Sequence, residues 1–255
     1  CNNQLDFMTK GDNFMQEEFI RSTILLGYSN VESLKNKKIA IFGLGGVGSY
    51  VLEGLARIGV GSFVLVDDDV VAKSNINRQI IALNSTVGKS KVSLAKQRVL
   101  DINNCANVEI YKTFYGQGKG HNIIDGCDYV VDAIDTVTSK LELICESVNK
   151  NIPIISCMGT GNKLNPLELR VSDIYKTKTC PLCRVMRKEL KVRGIKKLKV
   201  VYSEEQPIKP LEICNEENDQ TAHKKRKTVG SVSFVPSVAG MIICSEIIKD
   251  ILNIN

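Results

Sequence analysis

The chain has 255 residues but no uninterrupted apolar run of the roughly 18 to 20 residues that a membrane-crossing helix requires. Cys1 to Glu18 does not read as a signal peptide: it is polar and mixed in charge, with no apolar stretch before a small-residue cleavage site. No segment repeats. The nine cysteines include a single C-x-x-C pair, Cys180 and Cys183. A tetrahedral zinc site needs four ligands, so structural zinc is not expected, and two thiols on one helical turn read as packing residues. Cys127, Cys145, Cys157 and Cys244 lie in apolar segments. With no secretory signal they read as reduced thiols of a cytoplasmic protein. Residues 15–255 are long enough for one domain with a sizeable core. Residues 1–14 are expected to be a leader or disordered.

Charge is unevenly spread. From Lys176 to Lys227 there are 15 basic and seven acidic residues, a net of +8, while the remainder carries 19 basic against 21 acidic, a net of −2. The basic excess falls in an excursion over residues 174–230 and points to a polyanionic partner there. On an expected helix from Cys180 to Val192, Arg184, Arg187, Lys188 and Lys191 recur at i, i+3, i+4 and i+7. That spacing makes a stripe that can follow a phosphate backbone without reading bases.

What is present centres on Lys38-Ile-Ala-Ile-Phe-Gly-Leu-Gly-Gly-Val-Gly-Ser49. Ile39 to Phe42 suits a buried parallel strand. Gly43, Gly45 and Gly48 follow in G-x-G-x-x-G spacing. Val47, Val51, Leu55 and Ile58 then set a helical period. A tight turn without Cβ atoms lets backbone N–H groups and a helix N-terminus face an anion.

The chain then alternates strands and helices. A helix over Glu17 to Leu26 carries Arg21, with Asn30 or Ser33 as a cap for the next turn. Strands are expected at Ser62 to Val66, Val108 to Tyr111, Tyr129 to Val131 and Ile152 to Cys157. Helices are expected from about Val87 to Asp101 and from Lys140 to Asn149, the latter capped by Thr136 or Thr138. Later come strands at Leu167 to Val171, Leu198 to Tyr202 and Ser231 to Val235, the Cys180 helix capped by Thr179, and a last helix from Pro236. Leu211 to Thr228 has no period and reads as mobile. The pattern predicts an α/β fold, a doubly wound, mainly parallel sheet with a small antiparallel extension.

An acid 19 residues after Gly48, Asp67, fits two readings. One is an NAD site with Asp67 on the ribose hydroxyls; the other is an ATP site of similar shape. The residues beyond Asp69 favour ATP. Asn75 and Arg78 lie three apart and face one way on a helical turn, Lys91 stands at a helix start, and Asp135 ends the fourth strand. Two cations and a carboxylate suit a triphosphate held with Mg²⁺.

Gly43-x-Gly45-Gly46-x-Gly48-Ser49, Asp67-x-Asp69, Ser74-Asn-Ile-Asn-Arg-Gln79, Val87-Gly-x-x-Lys91 and Asp132-x-x-Asp135 together resemble the adenylating core of the ubiquitin-activating-enzyme-like family, which includes ThiF and MoeB. The resemblance runs from Phe19 to Ile251. Within that family the chain is most similar to the tRNA threonylcarbamoyladenosine dehydratases, through Asp132-Ala-Ile-Asp-Thr-Val, Asp173-Ile-Tyr-Lys-Thr, Cys180-Pro-Leu-x-Arg-Val-Met-Arg187 and Gly230 to Gly240. It implies a Rossmann-like core that wraps the ATP phosphates with Gly43, Gly45, Gly46 and Gly48. Asp67 would hold the ribose, with Asp69 and Ser74 in the same binding set. Asn75, Arg78 and Lys91 would bind the triphosphate, and Asp135 the Mg²⁺. Arg21 matches an arginine that reaches the neighbouring subunit's ATP in related homodimers. The implied reaction adenylates the carboxylate of threonylcarbamoyladenosine in tRNA and closes a ring with loss of water. Two alternatives stay open: adenylation of a ubiquitin-like sulfur-carrier protein, and a nucleotide-binding partner of a cysteine desulfurase system.

Overall fold

The computed structural model describes residues 17–211 and 229–254. Seven strands form one sheet in the order β3-β2-β1-β4-β5-β7-β6. They are β1 Lys38–Phe42, β2 Ser62–Val66, β3 Asn107–Tyr111, β4 Tyr129–Asp132, β5 Ile154–Cys157, β6 Leu169–Asp173 and β7 Lys199–Ser203. Every neighbouring pair is parallel except β6 with β7. This is the doubly wound sheet with a short antiparallel edge that the alternation of strands and helices predicts. The central strands are buried on both faces, which is why they read as unbroken apolar runs rather than as alternation.

Among the described residues seven α-helices accompany the sheet: α1 Ile20–Leu26, α2 Tyr28–Leu34, α3 Gly48–Arg57, α4 Lys91–Ile102, α5 Val137–Asn149, α6 Pro181–Val192 and α7 Phe234–Leu252. The main core joins β1, β2 and β4 to α3, α4 and α7 through residues such as Ile41, Leu55, Val92 and Ile243. A second cluster packs α6 against β7 through Cys183, Met186, Leu190 and Val200. Among the described residues, no helix is long and apolar enough to cross a membrane.

Several local expectations are corrected. Asn30 and Ser33 lie inside α2, and their side chains donate back to the carbonyls of Leu26 and Asn30. The segment from Val87 does not open a helix. A 3₁₀ turn at Asn84–Thr86 precedes it, and α4 starts at Lys91. Helix α6 is capped by Cys180, because Thr179 has φ +60° and turns the chain just before it. Ser231 to Val235 is not a strand. Asn162 N donates to Gly230 O at 2.7 Å and Asn77 Nδ2 to Ser231 O at 2.9 Å, which fixes this segment as a loop. Helix α7 then begins at Phe234, with Pro236 in its first turn, where its missing N–H leaves no bond unmade. The segment expected to be mobile, after Leu211, lies outside the described residues.

Glu53 ties α3 to α4. It accepts from Arg57 Nε at 2.7 Å within its own helix and from Arg98 Nε and Nη2 across to α4. Burial pushes its carboxyl up, but the two guanidiniums outweigh burial and hold it below the usual value. The stability it contributes is therefore present above the unfolded carboxylate value and is lost as pH falls through the lower folded one. Urea midpoints of the protein and of Glu53→Gln are expected to differ at neutral pH and to converge in acid. A gap that persists at low pH would mean the contribution is packing, not charge.

Candidate nucleotide-binding site

In this strand order the sheet reverses direction of winding between β1 and β4, since β1 pairs with β2 on one side and β4 on the other. A crevice outside the carboxyl ends of such strands is where doubly wound sheets take ligands. A cavity of about 510 Å³ lies there. The turn after β1 supplies Gly43 to Val47, the end of β2 supplies Asp67 to Asp69, and Asn75, Arg78, Gln79 and Lys91 close one side. Ala133 to Thr136 follow β4, Cys157 to Gly161 follow β5, and Val229, Ser231 and Pro236 complete the wall.

Two of the glycines are demanded by the protein itself. Gly43 has φ +87°, and a Cβ there would lie 2.6 Å from Ala133 O. A Cβ on Gly48 would lie 1.8 Å from Gly43 O. Gly45 differs, because a Cβ there meets nothing nearer than Gln79 Nε2 at 3.9 Å. Its bare backbone faces the cavity. The N–H groups of Gly45, Gly46 and Val47 have no protein acceptor among the described residues, and α3 starts at Gly48, so its positive end joins them.

Asp67 is half-buried and already engaged. Its Oδ2 accepts from Leu44 N at 2.6 Å and its Oδ1 from Asp69 N at 2.9 Å. Burial raises its carboxyl above the usual value against the pull of Lys91. Asp67 pins the glycine turn to β2 and also lines the cavity, where each carboxylate oxygen keeps a second acceptor position for the ribose expected there. Asp68 and Asp69, beside Asp67, are exposed at the cavity, Asp69 with its side chain 64% exposed. Lys91 is 4% exposed. Its Nζ reaches Asp69 Oδ2 at 2.6 Å and stands 4.0 Å from Asp67 Oδ1. Arg78 keeps its charge available: Nη1 donates to two neutral oxygens, Ser74 O and Asn77 Oδ1, both at 2.9 Å. Asn75 Oδ1 accepts from Ala72 N and closes the 3₁₀ turn Lys73–Asn75. Ser74 contributes its carbonyl to Arg78, and its side chain does not line the cavity. Asp135 lines it, exposed, bonded to Thr136 Oγ1 at 3.2 Å and in no ion pair among the described residues. Arg21 stands exposed on α1, outside this chain's own cavity wall.

The basic stripe on α6 is not continuous. Arg187 turns back, and its Nη1 donates to the carbonyl of Thr177 at 3.0 Å and to the Thr177 hydroxyl. Position 187 is one turn from buried Cys183 and so falls at the margin of the packed face. Arg184, Lys188 and Lys191 remain exposed in a row.

Two features are not apparent from the sequence. Gln79 is 5% exposed and lines the cavity, and its Oε1 is buried with no partner. The place of Gln79 in the Ser74–Gln79 run is the available signal. The other is a buried trio beneath the cavity. Lys140 Nζ donates to Ile134 O at 3.0 Å and Cys157 O at 2.7 Å, and pairs with Asp132 Oδ2 at 3.0 Å. Ser156 Oγ donates to the same Asp132 oxygen. The ammonium thus joins the ends of β4 and β5, from which Asp135 and the Met158 to Gly161 wall emerge.

Fold and site together define a nucleotide-binding α/β protein of the Rossmann-like kind, with exposed backbone N–H groups, one available guanidinium and an open carboxylate around the crevice. More narrowly, the chain belongs to the ThiF family, whose model matches residues 19–255. It is 43% identical over 243 residues to the tRNA threonylcarbamoyladenosine dehydratase of Bacillus subtilis (strain 168), covering 93% of this chain and 96% of that one. It is also similar to two crystal structures of the Escherichia coli tRNA N6-threonylcarbamoyladenosine dehydratase. The complex with AMP superposes with a TM-score of 0.83 at 29% identity, covering 92% of this chain and 94% of that one. The complex with ATP has a TM-score of 0.82 at 28% identity over the same shares.

Proposed function

We propose that the chain is an ATP-dependent tRNA threonylcarbamoyladenosine dehydratase. The observation that carries this is the match to the Bacillus subtilis dehydratase, which spans nearly the whole of both chains. The crevice supplies the means. A carboxylate oxygen of the threonylcarbamoyl group attacks the α-phosphorus of ATP, and pyrophosphate leaves. An atom of the same group then attacks the acyl carbon and expels AMP, which carries away the oxygen that counts as the lost water. The second nucleophile is intramolecular, so proximity replaces a catalytic cysteine.

Charge decides what each residue contributes. The cavity lining holds two cations, Arg78 and Lys91, against four carboxylates, Asp67, Asp68, Asp69 and Asp135, a net of −2. A triphosphate entering such a wall needs countercharge. Asp135, open and unpaired, fits a Mg²⁺ ligand, and the ion would neutralise phosphate charge as pyrophosphate leaves. Arg78 is the chain's own uncommitted cation. The Gly45 to Val47 N–H groups and the α3 N-terminus receive phosphate oxygens. Asp69 takes the ribose hydroxyls, which frees Lys91 to turn toward phosphate. Arg21 supplies a further cation to the crevice of a second copy in a homodimer.

The test is mass spectrometry of nucleosides from tRNA carrying threonylcarbamoyladenosine, incubated with protein, ATP and Mg²⁺. Loss of one water, dependent on ATP, is expected. Adenylation of a small protein ending in Gly-Gly, with the tRNA unchanged, would overturn the reading.

The RNA surface we assign to α6, now as Arg184, Lys188 and Lys191. Replacing all three with alanine is expected to weaken tRNA binding and flatten its salt dependence by about two to three phosphate contacts, with ATP binding unchanged. Arg187→Ala is expected to reduce stability instead, since it holds Thr177. An unchanged salt slope in the triple variant would make the row a solvated face.

A further inference from the structure

Cys180 and Cys183 are more than packing residues. Cys180 is 3% exposed at the N-cap of α6, and Cys183 is fully buried one turn on. The two lie one helical turn apart in one buried cluster. Thr179, immediately before, holds φ +60°, a conformation β-branched residues avoid and one that marks stored strain. Its turn sets Cys180 over the helix end. Hydrogen bonding with Cys183, then with the backbone N–H groups of Cys183, Gly159 and Leu182, draws the Cys180 pKa well down against burial. The Cys183 thiol keeps the proton, its pKa raised by that same bond and by burial.

The pair abuts the crevice. Gly159 and Leu182, two of the donors to Cys180, line the cavity. A Cβ built on Gly159 would lie 4.0 Å from Cys180 Sγ. The other cysteines near the sheet, Cys127, Cys157 and Cys244, are raised by burial, and Cys157 is raised further by the charge of Cys180.

We propose that Cys180 and Cys183 are a redox-active dithiol whose reversible disulfide controls nucleotide binding from behind the Gly159 wall. The control rests on the function proposed above; the thiol chemistry does not. The oxidant is a hydroperoxide. Cys180 thiolate attacks one peroxide oxygen, the O–O bond breaks, and the hydroxide released takes a proton to become water. The Cys183 sulfur then attacks the sulfur of the Cys180 sulfenic acid as its own proton leaves. The S–O bond breaks, and the second water departs. Two thiols lose two electrons and two protons, and the peroxide accepts both. An external dithiol reverses the reaction by exchange. In the disulfide, Cys180 no longer carries the charge that accepts from Gly159 N–H, so the cavity wall at Gly159 to Gly161 loosens.

The experiment treats the full-length protein with stoichiometric hydrogen peroxide, alkylates it under denaturing conditions and maps the peptides. A Cys180–Cys183 disulfide peptide, absent after dithiothreitol, is expected, with Cys127, Cys157 and Cys244 alkylated. Affinity for a fluorescent ATP analogue is expected to fall on the order of tenfold on oxidation and to recover on reduction. Cys183→Ser should bind the analogue like the reduced protein and ignore peroxide; Cys180→Ser provides a second peroxide-insensitive variant should the first fold poorly. No disulfide peptide from folded protein would overturn the proposal, as would zinc bound stoichiometrically to the pair or a disulfide that leaves affinity unchanged. Failure of the reduced protein to bind the analogue would count against the nucleotide reading, while the disulfide peptide still decides the thiol chemistry.

Discussion

Replacing Lys140 with methionine is expected to cost about 3–5 kcal/mol of folding stability, much of the roughly 5–15 kcal/mol that holds a domain of this kind together. Lys140 and Asp132 are both wholly buried. The ammonium has three N–H donors, and all three are used, on Ile134 O, Cys157 O and Asp132. Without it, Asp132 keeps only Ser156 Oγ and Ile134 N as donors, and two carbonyls at the strand ends lose their partner. An uncompensated buried carboxylate is the dominant penalty, larger than the net worth of the pair. The double variant Lys140→Met with Asp132→Asn removes that charge, and it should recover a substantial part of the loss. This non-additivity distinguishes a charge pair from simple packing. Chemical denaturation of the single and double variants measures it. A loss below about 1 kcal/mol in Lys140→Met, comparable to a neutral hydrogen bond, would remove the ammonium from its structural role.

The sequence carries this trio only as scattered residues. Asp132 and Lys140 are eight apart and Ser156 lies sixteen further on, on another strand. Nothing local signals that parallel pairing of β4 with β5 sets Asp132 opposite Ser156. The glycine turn is the opposite case, because strand, turn and helix are contiguous and the steric demand on Gly48 arises within the motif, against Gly43 O, although Gly43 is also pressed by Ala133 O from the distant end of β4. The parallel strands were legible for the same reason: burial on both faces writes itself as a local apolar run. Ser231 to Val235 has the alternation of a strand, yet bonds from Asn162 and Asn77 hold its start as a wall of the crevice. Asp67 shows the limit for the site. Spacing marked it as an acid at the end of β2, but only the folded backbone shows that Leu44 N and Asp69 N occupy its oxygens. The stripe on α6 was legible as a period, whereas the turn of Arg187 onto Thr177 depends on the 3₁₀ segment Ile174–Lys176 that precedes the helix.

Asp135→Ala is expected to have the reverse profile of Lys140→Met: little change in stability and near-complete loss of adenylation. Asp135 is exposed, and its carboxylate accepts from the neighbouring Thr136 hydroxyl. Removing it breaks no buried network, so the unfolding free energy from urea titration should stay within about 0.5 kcal/mol of the parent, the range of ordinary surface changes. The role proposed for it is electrostatic. The cavity lining is net negative before any triphosphate enters, and the chain's own uncommitted cation there is Arg78, with Lys91 bound to Asp69. On the reading proposed above, a metal adds countercharge, and Asp135 is an exposed carboxylate of the lining in no ion pair among the described residues. Loss of that anchor should raise the barrier by roughly 3 kcal/mol or more, on the order of 100-fold in pyrophosphate release. Raising Mg²⁺ should restore little, because the lost element is the ion's position and not its supply. Asp135→Asn, which keeps an oxygen ligand but not the charge, should fall between the two. Normal pyrophosphate release from Asp135→Ala, in protein of unchanged stability, would take Asp135 out of the site and leave Asp69 as the acid that holds the metal.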